Sequence, residues 1–365
     1  MFRFDMVTIL TTLLCVMWQI IPIQSQNEHA ALLKETYDAS LFVPSETIRR
    51  TVSFPSSFPK PTRMIDNDAV PIIEPTFGFH RSHVDAVFAY AEGYTLAYYM
   101  MFIETLKETG FTGDVVLAIA DKSIIKRDVE DYLRTYASKD TTVLDDDPRL
   151  HVVVYQASLV CKESNGTTGR HLTPRGETDV FEMCQLDDVY GWKDDNGKII
   201  DTTKDPRPGR VVATLRYEFY WIWSLRYGPS NWLMLLDARD SYFQSNPFAN
   251  LPRQNRDHSI VNGLLYLFGE NADTTRLGLS TKNLKWIRNG YGDFVLDALK
   301  DKPTICSGST MGEQIAIETY LRALVNEHDE CQVRMAGSDQ GFHNYLYYSG
   351  KLEQAETIQI GRAHV

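Results

Sequence analysis

The 365 residues are 43% apolar and 12% aromatic, enough to bury a full core without leaning on disulfides or a metal merely to fold. A net charge of -11 argues against general affinity for nucleic acid or for an anionic membrane surface, because both recruit proteins through clustered Lys and Arg. A phosphate-bearing substrate therefore needs a local basic pocket.

Arg3 precedes an uncharged, mainly apolar run from Met6 to Ile23 (MVTILTTLLCVMWQIIPI). At about 1.5 Å per residue this run reaches roughly 27 Å as a helix, just short of a hydrocarbon core of about 30 Å. Residues 1–25 read as a targeting segment, either a signal peptide cleaved near Ser25 or a type II signal anchor. Both place the remainder in the secretory pathway. The expected location is the Golgi lumen, with the membrane engaged through this segment when it is uncleaved; secretion and the ER lumen are the alternatives. Residues 26–79, rich in Ser, Pro and Thr, read as a stem or linker.

From Val84 the pattern alternates. VDAVFAY (Val84 to Tyr90) reads as a strand, and Leu96, Tyr99, Met100, Ile103 and Leu106 then fall at helical spacing. DVVLAIA (Asp114 to Ala120) is a second strand, Lys122 to Tyr136 a second helix behind a capping Asp121, and HVVVY (His151 to Tyr155) a third strand. This rhythm predicts an α/β fold with a mostly parallel sheet flanked by helices.

Residues 161–208 break the rhythm with charged, Gly- and Pro-containing sequence and read as an insertion or lid. Asn165-Gly166-Thr167 is an N-glycosylation sequon suited to an exposed lumenal loop. Cys161, Cys184, Cys306 and Cys331 form an even set in a compartment that permits disulfides. Three pairings are possible, and short separation favours Cys161 with Cys184 and Cys306 with Cys331. Regular structure resumes with an aromatic-rich helix (Val211 to Tyr227) and the strand Trp232 to Leu236. Further strands are expected at Ser259 to Phe268 and Thr304 to Met311. Thr310 and Glu313 have capping-box spacing ahead of a helix carrying Ile315, Ile317, Tyr320, Leu321 and Leu324. The last six residues, Ile360 to Val365, match one reading frame of a common sequencing adapter, so the native domain, taken as 80–359, is expected to continue beyond them.

In parallel sheets ligands bind beyond the carboxyl ends of the strands, so a polar group directly after a buried strand points at the site. Asp237 occupies that position after WLMLL, followed by Arg239 and Asp240. Two carboxylates so close suit a hard cation such as Mn²⁺ or Mg²⁺; a turn cap and a surface ion pair are the structural alternatives.

The run LMLLDARDSYFQSNPF resembles the Asp-x-Asp signature of GT-A nucleotide-diphospho-sugar glycosyltransferases, and its continuation resembles families related to glycosyltransferase family eight. The resemblance spans roughly residues 80 to 350 and implies a Rossmann-like GT-A fold that moves a sugar from a nucleotide-diphosphate donor to a glycan, glycoprotein or lipid acceptor. Asp237 and Asp240 are the implied metal ligands. The spacing departs from the family pattern, since Arg239 stands at the second acidic position. Either a bulge brings Asp240 into use or Arg239 meets the phosphates and reduces dependence on metal. Ser307 and Gly308 resemble the family's small-residue strand end beside the sugar, without its usual Asn. Asp339 and Gln340 resemble its Asp-Gln motif and are the catalytic-pocket candidates; a helix N-cap is the alternative for Asp339. Arg216 and Tyr90 occupy positions for a donor phosphate and a nucleotide base, with a helix-surface salt bridge as the alternative for Arg216. His343 reads as a structural histidine rather than a ligand. Family-eight resemblance implies retention at the anomeric carbon, whereas inversion needs a carboxylate base. A catalytically inactive GT-A-like domain that binds glycans or proteins is the competing reading.

Overall fold

The computed structural model describes residues 70–119, 125–137, 147–156, 159–162, 169–172, 178–181, 183–186, 188–203, 209–251, 263–271, 274–331, 338–352 and 356–360. The targeting segment, the sequon at Asn165 and residues 361–365 lie outside them, and no helix among the described residues is long and apolar enough to cross a membrane.

The first elements are β1 (Val70–Pro71), β2 (Ala86–Tyr90), α1 (Leu96–Glu108), β3 (Asp114–Ile119), α2 (Arg127–Tyr136) and β4 (His151–Gln156). Six short strands follow: β5 (Leu159–Lys162), β6 (Gly169–Leu172), β7 (Thr178–Phe181), β8 (Met183–Leu186), β9 (Tyr190–Lys193) and β10 (Ile199–Thr203). The chain continues through α3 (Val212–Ser224), β11 (Trp232–Leu236), β12 (Leu264–Gly269), α4 (Thr281–Leu299), β13 (Ile305–Glu313), α5 (Gln314–Cys331), α6 (Ser338–Tyr348) and β14 (Glu356–Ile360).

Seven strands form the central sheet in the order β4-β3-β2-β11-β13-β12-β14. Neighbouring strands run parallel except around β13, which is antiparallel to both β11 and β12. The expected mixed, mostly parallel sheet flanked by helices is therefore present. Its central strands read as unbroken apolar runs because helices cover both faces. Phe88, Val116, Val153, Leu233 and Leu235 pack on one side with α3, α5 and α6, whereas Val87, Ala89, Val115, Val152 and Met234 pack on the other with α1 and α2.

Several local expectations shift. Residues 70–79, expected in the stem, join the folded body: β1 pairs with β9, and Phe77 bridges Val154. In α1 the buried face is Tyr99, Phe102, Ile103 and Leu106, and Met100 is 42% exposed. The second helix starts at Arg127 behind Lys126, which lacks a side-chain cap, while Asp121 lies outside the described residues. The supposed capping box is strand: Thr310 pairs with Leu235 and Leu267, and Glu313 accepts a hydrogen bond from the Leu264 amide. Cross-strand partners satisfy these backbone groups, so α5 begins only at Gln314.

The insertion resolves into two hairpin-like pairs, β5 with β8 and β6 with β7, plus a three-stranded sheet β1-β9-β10. Cys184 is disulfide-bonded and stands directly across from Cys161 in the β5–β8 register. Cys306 is not disulfide-bonded to a described residue, and the side chain of Cys331 lies outside the described residues. Cys306 belongs to β13 and Cys331 ends α5.

Two buried charge networks hold the frame. Arg81 donates to both carboxylate oxygens of Asp114, and the Tyr227 hydroxyl donates to Oδ2 of the same carboxylate at 2.9 Å. Arg210 pairs with Glu218 of α3 and Asp329 of α5, both at 3.1 Å, and Tyr190 of the insertion donates to Glu218 at 2.5 Å. The second network ties the insertion to the helices behind the sheet.

Candidate functional site

Asp237 directly follows β11, and the next three residues form a single 3₁₀ turn closed by the Ser241 hydroxyl donating to the Asp237 carbonyl at 2.8 Å. Because β13 runs antiparallel, its first residues lie at the same edge of the sheet as the carboxyl end of β11. The Asp237 amide donates to the Gly308 carbonyl at 3.2 Å. A Cβ placed on Gly308 would stand 3.2 Å from Oδ2 of Asp237, so the absent side chain lets the strand and the carboxylate close on each other.

The first turn of α6 arrives at this edge from another direction. Asn344 fixes it by a two-point clasp on Ile305, donating to the carbonyl and accepting from the amide, each at 2.8 Å. That clasp sets Asp339 and Gln340 against Ser307, whose hydroxyl lies 3.4 Å from Oδ2 of Asp339 and 3.4 Å from Oε1 of Gln340.

Arg216 links the two halves. From α3 its Nη1 donates to Oδ1 of Asp237 and its Nη2 to Oδ2 of Asp339 at 3.0 Å. The Tyr217 hydroxyl sits 3.3 Å from both Asp339 Oδ2 and the Ser307 carbonyl. The Asp237 side chain is 43% exposed, against 6% for Asp339, so Asp237 faces the opening and Asp339 the interior. Burial pushes the Asp339 carboxyl above its ordinary range against the pull of Arg216. Burial opposes the charge on Arg216 as well, but the neighbouring acidic groups, Asp237 first, outweigh it and hold the guanidinium well above its ordinary value.

Gln340 extends the cluster. Its amide nitrogen donates to Asn283 of α4 at 3.2 Å and reaches Glu270 at 3.5 Å. Glu270 follows β12 as Asp237 follows β11, and its half-buried carboxyl is raised by desolvation. Tyr217, Glu270 and Asn283 were not singled out in the sequence. Glu270 obeys the same polar-after-strand rule; Tyr217 and Asn283 carry no signal distinguishing them from ordinary helix residues.

The remaining candidates scatter. Arg239 is exposed beside the site, its guanidinium 5.6 Å from the Tyr98 ring centroid. Tyr90 is buried at 6%, packed against Phe219 with its hydroxyl on Glu92. His343 is fully buried with Nδ1 2.7 Å from the Tyr320 hydroxyl, and desolvation lowers it to about 3. The side chain of Asp240 lies outside the described residues. Among the described residues no three His, Cys, Asp or Glu side chains converge on an ion position, and Asp237 is already ion-paired with Arg216. Mn²⁺ and Mg²⁺ take several oxygen ligands, and of the two implied ligands only the Asp237 side chain is among the described residues. No family model matches this chain, and no curated protein matches it.

Proposed function

We propose that this chain is a GT-A-type glycosyltransferase that moves a sugar from a nucleotide-diphosphate donor to a glycan, glycoprotein or lipid acceptor of the secretory pathway. One observation carries the reading. Asp237, Ser307 with Gly308, and Asp339 with Gln340 come from three separate elements and meet around Arg216 at the carboxyl edge of the parallel strands, where α/β sheets bind ligands. The strand order with one reversed strand, β13, supports the GT-A form of the sheet.

In this reading Gly308 leaves room for the sugar beside the backbone, and Gln340 and Asp339 orient its hydroxyls. Asp237, the exposed acid, touches the donor at the mouth of the site. Arg216 offsets the two carboxylates, and the exposed Arg239 supplies local positive charge of the kind an overall acidic chain must concentrate to accept a diphosphate. The test is nucleotide release from UDP-glucose, UDP-galactose, UDP-xylose and GDP-mannose, with and without Mn²⁺, by wild type and Asp237→Asn. Release that the substitution lowers at least tenfold is expected. Release unaffected by the substitution defeats the site assignment.

The arrangement that closes Arg216 onto both carboxylates also favours a second reading, a catalytically silent GT-A-like domain that binds glycans or proteins. Complete absence of nucleotide release, together with saturable glycan binding, would establish that reading instead.

A further inference from the structure

Among the described residues, the carboxylates of Asp237, Asp339 and Glu270 stand around Arg216 and Gln340, and they are not equivalent. Asp237 and Asp339 share one guanidinium. Glu270 shares none: its described side-chain partners are the Gln340 amide at 3.5 Å and the Thr275 hydroxyl, both neutral. Its own amide donates to the Thr304 carbonyl at 2.9 Å, so the backbone carrying it is fixed to the residue that precedes β13. The carboxylate is half-buried, has only neutral groups beside it among the described residues and is placed directly after a strand parallel to β11; the Gln340 amide nitrogen reaches it while the Gln340 oxygen meets Ser307.

Resting on the glycosyltransferase reading above, we infer that Glu270 is the catalytic base and that transfer proceeds with inversion, against the retention that the family-eight resemblance implies. In this step the acceptor oxygen forms a bond to the anomeric carbon as its proton passes to the Glu270 carboxylate. The bond from that carbon to the diphosphate oxygen breaks, and its electron pair leaves with the nucleoside diphosphate. Glu270 then returns the proton to solvent. A carboxylate in this role must meet the acceptor hydroxyl without a competing cation, which the neutral partners of Glu270 provide. Desolvation, which raises its pKa, makes it a better proton acceptor than an exposed glutamate. Gln340, touching Ser307 on one side and Glu270 on the other, aligns the sugar and acceptor sides.

The test uses the full chain and whichever of the four nucleotide sugars above releases nucleotide, with water as acceptor and the first-formed sugar followed by proton NMR. Wild type is expected to yield the inverted anomer. Glu270→Gln keeps an oxygen for the Gln340 amide but cannot take the proton, so turnover is expected to fall at least 100-fold while nucleotide affinity changes less than threefold. Glu270→Asp is expected to recover part of the turnover, which a merely structural role does not demand. A retained anomer, or Glu270→Gln turnover within threefold of wild type, overturns the assignment and leaves the glycosyltransferase reading intact. No nucleotide release from any donor by wild type defeats that reading and this inference together.

Discussion

The Nη2 of Arg216 donates to Oδ2 of Asp339 at 3.0 Å although 123 residues separate them. A guanidinium projecting from α3 thus compensates an almost fully buried carboxylate at the start of α6, while its other terminal nitrogen holds Asp237. A buried carboxylate stripped of its cation is strongly penalised, so this contact binds the site and the stability of the domain together.

Arg216→Gln is expected to lower stability by roughly 3 kcal/mol, because Asp339 is left charged and buried without its partner. Adding Asp339→Asn removes that uncompensated charge and should restore at least half the loss. Urea denaturation midpoints of the two variants measure this; equal destabilisation of the single and double variants contradicts it.

Gly308 and Gly312 lie on the same strand and should respond differently to Ala. At Gly308 the added methyl meets a half-exposed carboxylate oxygen at 3.2 Å, which can shift. At Gly312 it meets the Leu264 backbone carbonyl at 2.6 Å, which cannot shift without moving β12. Gly312→Ala is therefore expected to cost about 2 kcal/mol, within the range for overpacking, and Gly308→Ala less than about 1 kcal/mol. Gly308→Ala should instead lower nucleotide release several-fold by displacing Asp237. Thermal melts paired with the release assay separate the two outcomes.

Asp114→Ala leaves Arg81 buried without its counterion and removes the acceptor of the Tyr227 hydroxyl. A loss of about 3–5 kcal/mol is expected from breaking such a pair. Asp114 starts β3, at the opposite end of the strand from the site edge, so any folded fraction should bind nucleotide with unchanged affinity. Equilibrium denaturation and nucleotide titration check both halves of this expectation.

His343 is buried, and desolvation lowers it to about 3 from an ordinary 6.5. Between those values the unfolded chain binds a proton that the native state does not, so stability rises with pH. His343 therefore contributes a stability that is fully present above pH 6.5 and lost as pH falls toward 3, at up to about 1.4 kcal/mol per pH unit. His343→Gln, with no proton to gain, should flatten the slope of stability against pH in that window. An unchanged slope counts against the assignment.

Local pattern alone determined the layered α/β form. Long apolar runs such as VVLAI and WLMLL announce strands covered on both faces, and the same pattern locates Asp237 at a strand end. It could not reveal that Thr310 to Glu313 continue a strand, because a capping box and a paired edge use the same residue types until the cross-strand partner, Leu264 or Leu265, is known. Nor could it pair Arg216 with Asp237 and Asp339, or distinguish Glu270 from other acids. Those relationships depend on α3, α6 and β12 meeting at one edge of the sheet, across 21 residues in one case and 123 in another. Sequence periodicity reports which face of an element is buried. Which charges then share that burial is settled by packing between elements far apart in the chain, and that packing decides which carboxylates share a guanidinium and which do not.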